Sequence, residues 1–581
     1  MANGYWNRVL HVDLDNGSTW VEEPGDAFYR SHMGGRAFIA HYLLKEVPRG
    51  IDAFDPRNRL IFATGVVTGA PFPGAGRHSV GAKSPLTDGF GEGESGGFWG
   101  AELKKAGWDA IVISGKAAKP TYLWIEDDRV ELRDASHLWG RITGDVEDAL
   151  RAELGDKLVR VAQIGPAGEN LVRFACVVND LNEVAGRPGL GAVMGSKLLK
   201  AVAVRGHGRV SVANPAGIQE VSKWVATTLQ ENHKNFHEFG TGAALAGKQL
   251  EGHMIVRNFR DGQFDQYNKI DAVAIRDTYR VKMDGCFACS VRCKKRVRLE
   301  SPWKVDPKYG GPEYETIGAL GTNLANGDLA ALCKANEAAN YYGLDSISCG
   351  VVIGWAMEMS ELGLLTPKET DGARLEWGNG PQIVELVEKI ALRQGVGDLL
   401  AEGAFRAARK VGRGTEKYVV HVKGLEIAMH DPRGMKHLRR NYPLTPTGGD
   451  HTGAADFQTS IRNTIGLCIF LRYDANRTLQ IVRDVTGWDV TAEELAEVSK
   501  RGLTMARMYN LREGKSRADD KLPWRLHQPM SQGPLSTYVL PTEEIDQIVT
   551  DYYVEHGWDP QTGAPTSETL RALGLETYAS S

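Results

Sequence analysis

No run of about 18 consecutive apolar residues occurs in this 581-residue chain, so no segment reads as a membrane-spanning helix. The first residues, Met1-Ala2-Asn3-Gly4-Tyr5-Trp6-Asn7-Arg8, lack a basic segment followed by an apolar one, and the expectation is a cytoplasmic protein. An excess of one charge is also missing: 69 Lys and Arg stand against 73 Asp and Glu, a formal net charge of −4. That balance gives no electrostatic reason to expect nucleic acid or an anionic membrane as partner. There is no Walker lysine, and no dinucleotide fingerprint in its strand, turn and helix setting. Cysteine is scarce, and the odd total of seven suits a reducing compartment and metal ligation better than a disulfide framework.

What is present begins with composition: 42% hydrophobic and 24% charged side chains describe a globular chain long enough for about three or four domains. Three of the seven cysteines then fall within eight residues, as Cys286-x2-Cys289-x3-Cys293. A cubane iron-sulfur cluster needs four thiolates, so a fourth must come from Cys176, Cys333, Cys349 or Cys468. A structural zinc site also takes four thiolates, but it usually presents two Cys-x2-Cys hooks, and no second hook exists here. Zinc and buried structural thiols stay open as alternatives. Radical enzymes that cleave a sulfonium cofactor use the reverse spacing.

Residues 1–210 read as mostly β. Asn16-Gly17 suggests a tight primed turn in a hairpin, and further strands are expected at 60–64, 110–114, 122–125, 130–132, 158–164, 172–178 and 201–204. Between them lie glycine-rich turns at 74–77, 91–97 and 186–191, and the 67 glycines of the chain suggest backbone packed closely around a large ligand. Exposed N–H groups in such turns, in two cases beside an arginine, suit phosphate oxygens, although ordinary turns would look the same. From Pro215 onward the apolar period becomes helical, as at 218–229 and 383–390, and Thr542 is expected to start a capped helix. Two glycines in Val411-Gly412-Arg413-Gly414 interrupt that pattern, which places a domain boundary there: 1–210, 211–412 and 413–581.

One internal echo stands out. Asn340-Tyr341-Tyr342-Gly343-Leu344-Asp345 and Asn463-Thr464-Ile465-Gly466-Leu467-Cys468 share Asn-x-x-Gly-Leu. One copy in each helical half could grip two similar halves of one ligand; the pattern is also a common helix C-cap. The second copy ends in Cys468, which makes that residue the choice for the fourth cluster ligand.

At this point the sequence resembles the tungsten-containing aldehyde:ferredoxin oxidoreductase family over nearly its whole length. The resemblance rests on Gly76-Arg77-His78-Ser79-Val80, Lys83-Ser84-Pro85-Leu86-Thr87, Ser95-Gly96-Gly97-Phe98-Trp99-Gly100, the segment 186–197, the cysteine cluster, Gly311-Pro312-Glu313-Tyr314-Glu315, the two Asn-x-x-Gly-Leu copies, and Gly449-Asp450-His451. It implies an α+β fold: a β-rich base domain for two pterins, then two mainly helical domains. It also implies a tungsten bis-pyranopterin, one [4Fe-4S] cluster and a Mg2+ ion bridging the pterin phosphates. By that resemblance Arg77, Ser95, Gly96 and Arg187 meet the pterin phosphates; Asn340, Gly343, Leu344 and Asp345, with Asn463, Gly466 and Leu467, hold the pterin rings; and Cys286, Cys289, Cys293 and Cys468 hold the cluster. Three positions depart from the family: Asn340 and Asn463 stand where Asp is frequent, and Glu94 where Asn is common beside the magnesium, still a hard oxygen ligand. Where some members carry Glu-x-x-His for an iron between subunits, this chain has Lys334 and Glu337, so no iron and no homodimer around it are expected there.

The implied activity is oxidation of an aldehyde to a carboxylic acid, or the reverse. Glu315 is the candidate general base, with Glu313 in reserve on the same side of an extended segment, and His451 is the candidate donor to the substrate oxygen. Lys294, Lys295, Arg296 and Arg298 are either a solvated face or a docking surface for an acidic partner. The expected partner is a ferredoxin or a polyferredoxin subunit, joined by a flavin subunit where NAD is the final acceptor. The rival readings are the active-site subunit of a tungsten benzoyl-coenzyme A reductase and, in another class, an iron-sulfur electron carrier without pterin.

Overall fold

The computed structural model describes residues 2–453 and 455–578. Its first 205 residues hold β1 (Val9–Asp13), β2 (Ser18–Glu22), β3 (Leu60–Thr64), β4 (His78–Lys83), β5 (Phe90–Ser95), β6 (Ala110–Ser114), β7 (Thr121–Glu126), β8 (Arg129–Asp134), β9 (Arg160–Gln163), β10 (Val177–Asn179), β11 (Glu183–Ala185) and β12 (Leu199–Arg205). These form two six-stranded sheets, ordered β2-β1-β6-β3-β4-β5 and β11-β10-β9-β12-β7-β8. Adding six to each strand number of the first sheet gives the second. In both, a hairpin's first strand pairs parallel with the unit's last strand while the other ladders are antiparallel. The β domain is thus one fold written twice.

The two units share a core. Phe62, Val80 and Ile111 of the first sheet and Ile125, Val202 and Val204 of the second belong to one apolar cluster with Trp99 and Met194. Trp99 spans the gap: its ring lies 5.2 Å from that of Phe62, and its Nε1 donates to the Val202 carbonyl at 3.0 Å. Burying about 200 Å² of such a side chain is worth on the order of 5 kcal/mol against an extended chain.

Several sequence expectations need correction here. Asn16-Gly17 closes a four-residue loop, since Asp13 pairs with Ser18 and only Gly17 of the pair has positive φ, 75°. The segment 91–97 is largely strand β5 rather than a turn, and the expected strand 172–178 shrinks to Val177–Asn179. Strands β4, β5 and β11 went unread because glycines and charged residues lower their apparent β propensity. The charge in β5 survives burial because Arg36 Nε donates to Glu92 Oε2 at 2.5 Å.

After residue 210 the chain is mainly helical, with the expected segments realised as Pro215–Thr227, Gly380–Leu392 and Thr542–His556. Thr542 is the first residue of its helix, preceded by Pro541, and caps nothing. Exceptions to the helical reading are a short pair, His421–Val422 with Leu425–Glu426, and a hairpin, β13 (Arg280–Asp284) and β14 (Lys294–Val297), whose tip is the cysteine segment. Gly412 ends the helix Ala404–Val411, and one apolar cluster includes Ala407 and Ala408 before it and Val419 and Val420 after it.

Both Asn-x-x-Gly-Leu copies are helix ends. Gly343 (φ 76°) caps Leu329–Tyr342 and Gly466 (φ 77°) caps Phe457–Ile465, both left-handed. Each end docks on one of the duplicated units at the same place. A Cβ on Gly65, just after β3, would lie 2.1 Å from the Ile465 carbonyl, and one on Gly165, just after β9, 2.3 Å from that of Tyr342. Such contacts admit glycine alone. The helical echo therefore matches the duplication beneath it.

Candidate active site

The hairpin tip and the second helix end bring the four expected cysteines to one cavity of about 340 Å³, lined by Cys286, Cys289, Cys293 and Cys468 with Arg77, Glu313, Glu315, His430 and His451. Backbone contacts set the thiols in place. Phe287 N–H donates to the Gly97 carbonyl at 3.0 Å and Cys468 N–H to that of Gly74 at 3.0 Å. Gly96 comes so close that a Cβ there would lie 3.0 Å from Cys286 Sγ. Cys176, Cys333 and Cys349 are buried and do not line this cavity. Burial raises the Cys286, Cys289 and Cys293 thiols, the last to about 12, and neighbouring thiols and carboxylates add to the effect. Four converging thiols, with burial holding Cys286, Cys289 and Cys293 protonated on their own, fit a cluster whose metal charge would draw off those protons.

Of the other expected residues, Arg77 is the link to the cysteines. Its Nη2 lies 3.8 Å from Cys468 Sγ and its Nη1 3.8 Å from Glu94 Oε2. Its Nε is buried without a hydrogen-bond partner, capacity that a phosphate would use. Burial pushes Glu94 up to about 8, with Glu92 and Asp450 adding to it and Arg77 and Arg36 opposing. Ser95 Oγ donates to Asn179 Oδ1 at 2.5 Å, and Asn179 Nδ2 donates to the Gly96 carbonyl at 3.0 Å.

Arg187, Asn340, Leu344 and Asp345 come together at a second cavity of about 170 Å³ that shares Lys294, Glu313 and Glu315 with the first. Arg187 Nε donates to Asp345 Oδ2 at 3.0 Å and Asn340 Nδ2 to the Tyr309 carbonyl at 2.8 Å. Asn463 stands outside both linings; its Nδ2 reaches the Thr452 carbonyl at 3.1 Å while its Oδ1 is buried and unpartnered. Two buried arginines pin the loop that carries His451: Arg187 Nη1 donates to the Gly449 carbonyl at 3.2 Å, and Arg36 Nη2 donates to that of Gly453.

The acid-base residues depart from expectation in one respect. Glu313 and Glu315 do not share a side of an extended segment, because a helical turn, Tyr314–Thr316, begins between them. Glu313 is bound by Lys295 at 3.4 Å and by the Thr241 hydroxyl. Burial would raise it, yet Lys295 and Lys294 hold it below the usual carboxylate range. Glu315 accepts from Met429 N–H at 2.7 Å and lies 3.1 Å from His430 Nε2 and 3.5 Å from His451 Nε2. Burial would raise its carboxyl, but the two imidazoles and the Met429 amide hold it at about 2. A partly buried, ionised carboxylate between two imidazoles, opening on a cavity beside four thiols, can accept and return a proton.

Sequence reasoning missed His430. Nothing in Met429-His430-Asp431-Pro432 signals chemistry, and only folding brings it to Glu315, 115 positions earlier in the sequence.

The sequence matches "Aldehyde ferredoxin oxidoreductase, N-terminal domain" over residues 9–206 and "Aldehyde ferredoxin oxidoreductase, domains 2 & 3" over residues 220–575. The chain belongs to the aldehyde ferredoxin oxidoreductase family. Among its relatives, a tungsten-containing aldehyde ferredoxin oxidoreductase of Pyrococcus abyssi is 38% identical over 99% of this chain and 100% of its own. An aliphatic sulfonate oxidoreductase subunit of Pyrococcus furiosus is 31% identical over 98% and 97%. A similar solved structure is the active site complex of benzoyl-coenzyme A reductase with 1,5-dienoyl-CoA, with a TM-score of 0.83 and 26% identity over 100% of this chain and 98% of that one.

Two local features of this aldehyde ferredoxin oxidoreductase family member complete the site. The basic run after the cysteines mostly turns inward. Lys294 pairs with Glu183 at 3.3 Å and Arg296 with Asp284 at 2.8 Å, and Lys295 is buried on Glu313; only Arg298 is exposed. The run is therefore not the uniformly solvated face that was one of the two expectations. Lys334 Nζ pairs with Glu337 Oε2 at 2.7 Å. Among the described residues, no helix is long and apolar enough to cross a membrane.

Proposed function

We propose that this protein oxidises aldehydes to carboxylic acids with a tungsten bis-pyranopterin, and that the electrons leave through one [4Fe-4S] cluster. The observation that carries this reading is the shared cavity of Glu315, His430, His451 and four cysteines. Cys286, Cys289, Cys293 and Cys468 would hold the cluster. Arg77, Ser95, Gly96 and Arg187 would face the pterin phosphates, and Asn340, Gly343, Leu344, Asp345, Asn463, Gly466 and Leu467 the rings. Glu94 would offer an oxygen to Mg2+, whose charge would keep that buried carboxyl ionised. When bound, the tungsten cofactor supplies the two-electron step and the cluster passes electrons singly.

The chain's own residues manage the protons. Water adds to the carbonyl carbon, the acid is released, and two protons and two electrons depart. Glu315 Oε1, ionised at neutral pH, accepts the proton of the attacking water, and His451 Nε2 donates a hydrogen bond to the substrate oxygen. Glu313, tied to Lys295, is the weaker base. The acceptor is a ferredoxin or a polyferredoxin subunit, with a flavin subunit added where NAD is reduced, and the setting is the cytoplasm.

The whole-chain likeness to benzoyl-coenzyme A reductase favours a second reading, reduction of an aromatic coenzyme A thioester. The unpartnered Arg77 Nε and Asn463 Oδ1 speak against an electron carrier without pterin. Anaerobically purified protein should contain about four irons, one tungsten and two pterins per chain, and should oxidise aldehydes faster than it reduces coenzyme A thioesters. Iron without pterin, from a host able to assemble the cofactor, would refute both enzyme readings.

A further inference from the structure

Behind the candidate active site lies a buried ammonium group that the chemistry above leaves unused. Lys248, on the helix Leu245–Glu251, is 5% exposed. Its Nζ lies 3.0 Å from Nδ1 of His430 and 3.2 Å from Met435 Sδ, and 5.0 Å above the centre of the Tyr314 ring. Its direct partners are therefore an imidazole nitrogen and a thioether rather than a carboxylate.

An ammonium group has donors and no acceptor, so the His430 nitrogen that faces it must accept. A neutral imidazole that accepts at Nδ1 carries its hydrogen on Nε2, and His430 Nε2 lies 3.1 Å from Glu315 Oε1. Lys248 thus donates to His430, whose Nε2–H lies beside Glu315 Oε1, a buried oxygen with no hydrogen bond of its own. We infer that Lys248 is a positioning residue: by occupying Nδ1 of His430 it fixes the Nε2–H tautomer and so sets an N–H, rather than a lone pair, beside the unpartnered Glu315 Oε1. Burial supports this by holding His430 at about 4, a neutral ring at physiological pH. Lys248 is itself lowered by burial to about 8, against the pull of Glu315, Asp431 and Glu251, and remains mostly protonated there.

The same contact decides a second matter. Glu315, His430 and His451 offer ligand atoms all within 4.8 Å of one another, a spacing that suits a divalent cation. A ligating imidazole nitrogen must present its lone pair, and its other N–H normally donates to an acceptor. Lys248 reverses that arrangement. It denies Zn2+ the His430 nitrogen and reserves the cluster of side chains for proton transfer.

This inference rests on Glu315 acting as the base proposed above, and two readouts separate the failure of one from the failure of the other. The variants are K248M, K248R, H430A and K248M/H430A, each as anaerobic holoenzyme. In steady-state aldehyde oxidation, K248M is expected to lower kcat by about 10- to 100-fold with KM changed by less than about threefold. K248R, which still donates to Nδ1, should recover most of that loss. The double variant should be no slower than H430A, because Lys248 acts only through the His430 ring. In chelator-competition titrations with Zn2+, K248M should take up one ion more than wild type, and K248M/H430A should lose it again. The inference is overturned if the kcat losses of K248M and H430A multiply, or if K248M matches wild type in kcat and in Zn2+ uptake. If wild-type holoenzyme fails to oxidise any aldehyde, the proposed function falls, and the Zn2+ comparison still decides the role of Lys248.

Discussion

Replacing Glu315 by glutamine keeps the shape of the side chain and removes its charge, so it isolates the feature on which the proposed chemistry depends. In the native protein the carboxylate accepts from the Met429 amide at 2.7 Å and faces His430 at 3.1 Å and His451 at 3.5 Å. An amide in its place turns one acceptor into a donor and points it at groups that also donate. A positioned general base contributes about 10²- to 10⁴-fold, and E315Q should lose kcat within that range while KM changes by less than about threefold. The carboxyl group's shift from 4.5 to about 2, at about 1.36 kcal/mol per pH unit, is worth about 3 kcal/mol of folding stability. The sign follows from the depressed value: the contribution is complete above about pH 4.5 and disappears as pH falls toward 2. The stability difference between wild type and E315Q, from urea unfolding at pH 6 and at the lowest pH where both still fold, should therefore shrink on acidification. E315Q that keeps more than about a tenth of wild-type kcat, measured as aldehyde-dependent reduction of a one-electron dye, would refute Glu315 as the base.

Three further outcomes follow from the geometry. C468S should lose the cluster, seen as iron falling well below the about four atoms per chain of a [4Fe-4S] centre, whereas C333S, at a thiol away from the cavity, should keep it. R77M removes a buried guanidinium that faces both Cys468 and Glu94, and should purify with less pterin by extraction while its far-ultraviolet circular dichroism stays unchanged. G65A forces a Cβ to within 2.1 Å of the Ile465 carbonyl and should cost at least about 2 kcal/mol in chemical denaturation. G247A, in a helix where an added Cβ meets nothing within 4 Å, should instead stabilise by about 0.5–1 kcal/mol.

Local signals in the sequence carried much of this protein. A Cys-x2-Cys-x3-Cys segment announces metal chemistry because thiolates cannot be crowded without a cation, and the Asn-x-x-Gly-Leu echo picked out Cys468 from four candidates. Local pattern located three of the long helices and nine of the twelve strands of the β domain. It failed at β4, β5 and β11, where neighbouring chain, rather than the strand's own side chains, supplies the compensation that permits burial. Arg36 neutralising Glu92 is the case in point. Spacing in sequence also put Glu313 and Glu315 on one side, and a single helical turn sent them to different partners.

Relations between distant segments came from folding alone. The duplication of the β domain is plain in the strand order, a relation between ladders that strand-by-strand reading does not reach. His430 and Lys248 acquire meaning only when folding carries residues 315, 430 and 451 to one cavity wall and sets residue 248 behind His430. Residue types and their spacing limit which kinds of chemistry this chain can hold. The fold decided which side chains face one another, since charge, tautomer and proton affinity depend on distances that no spacing along the chain records.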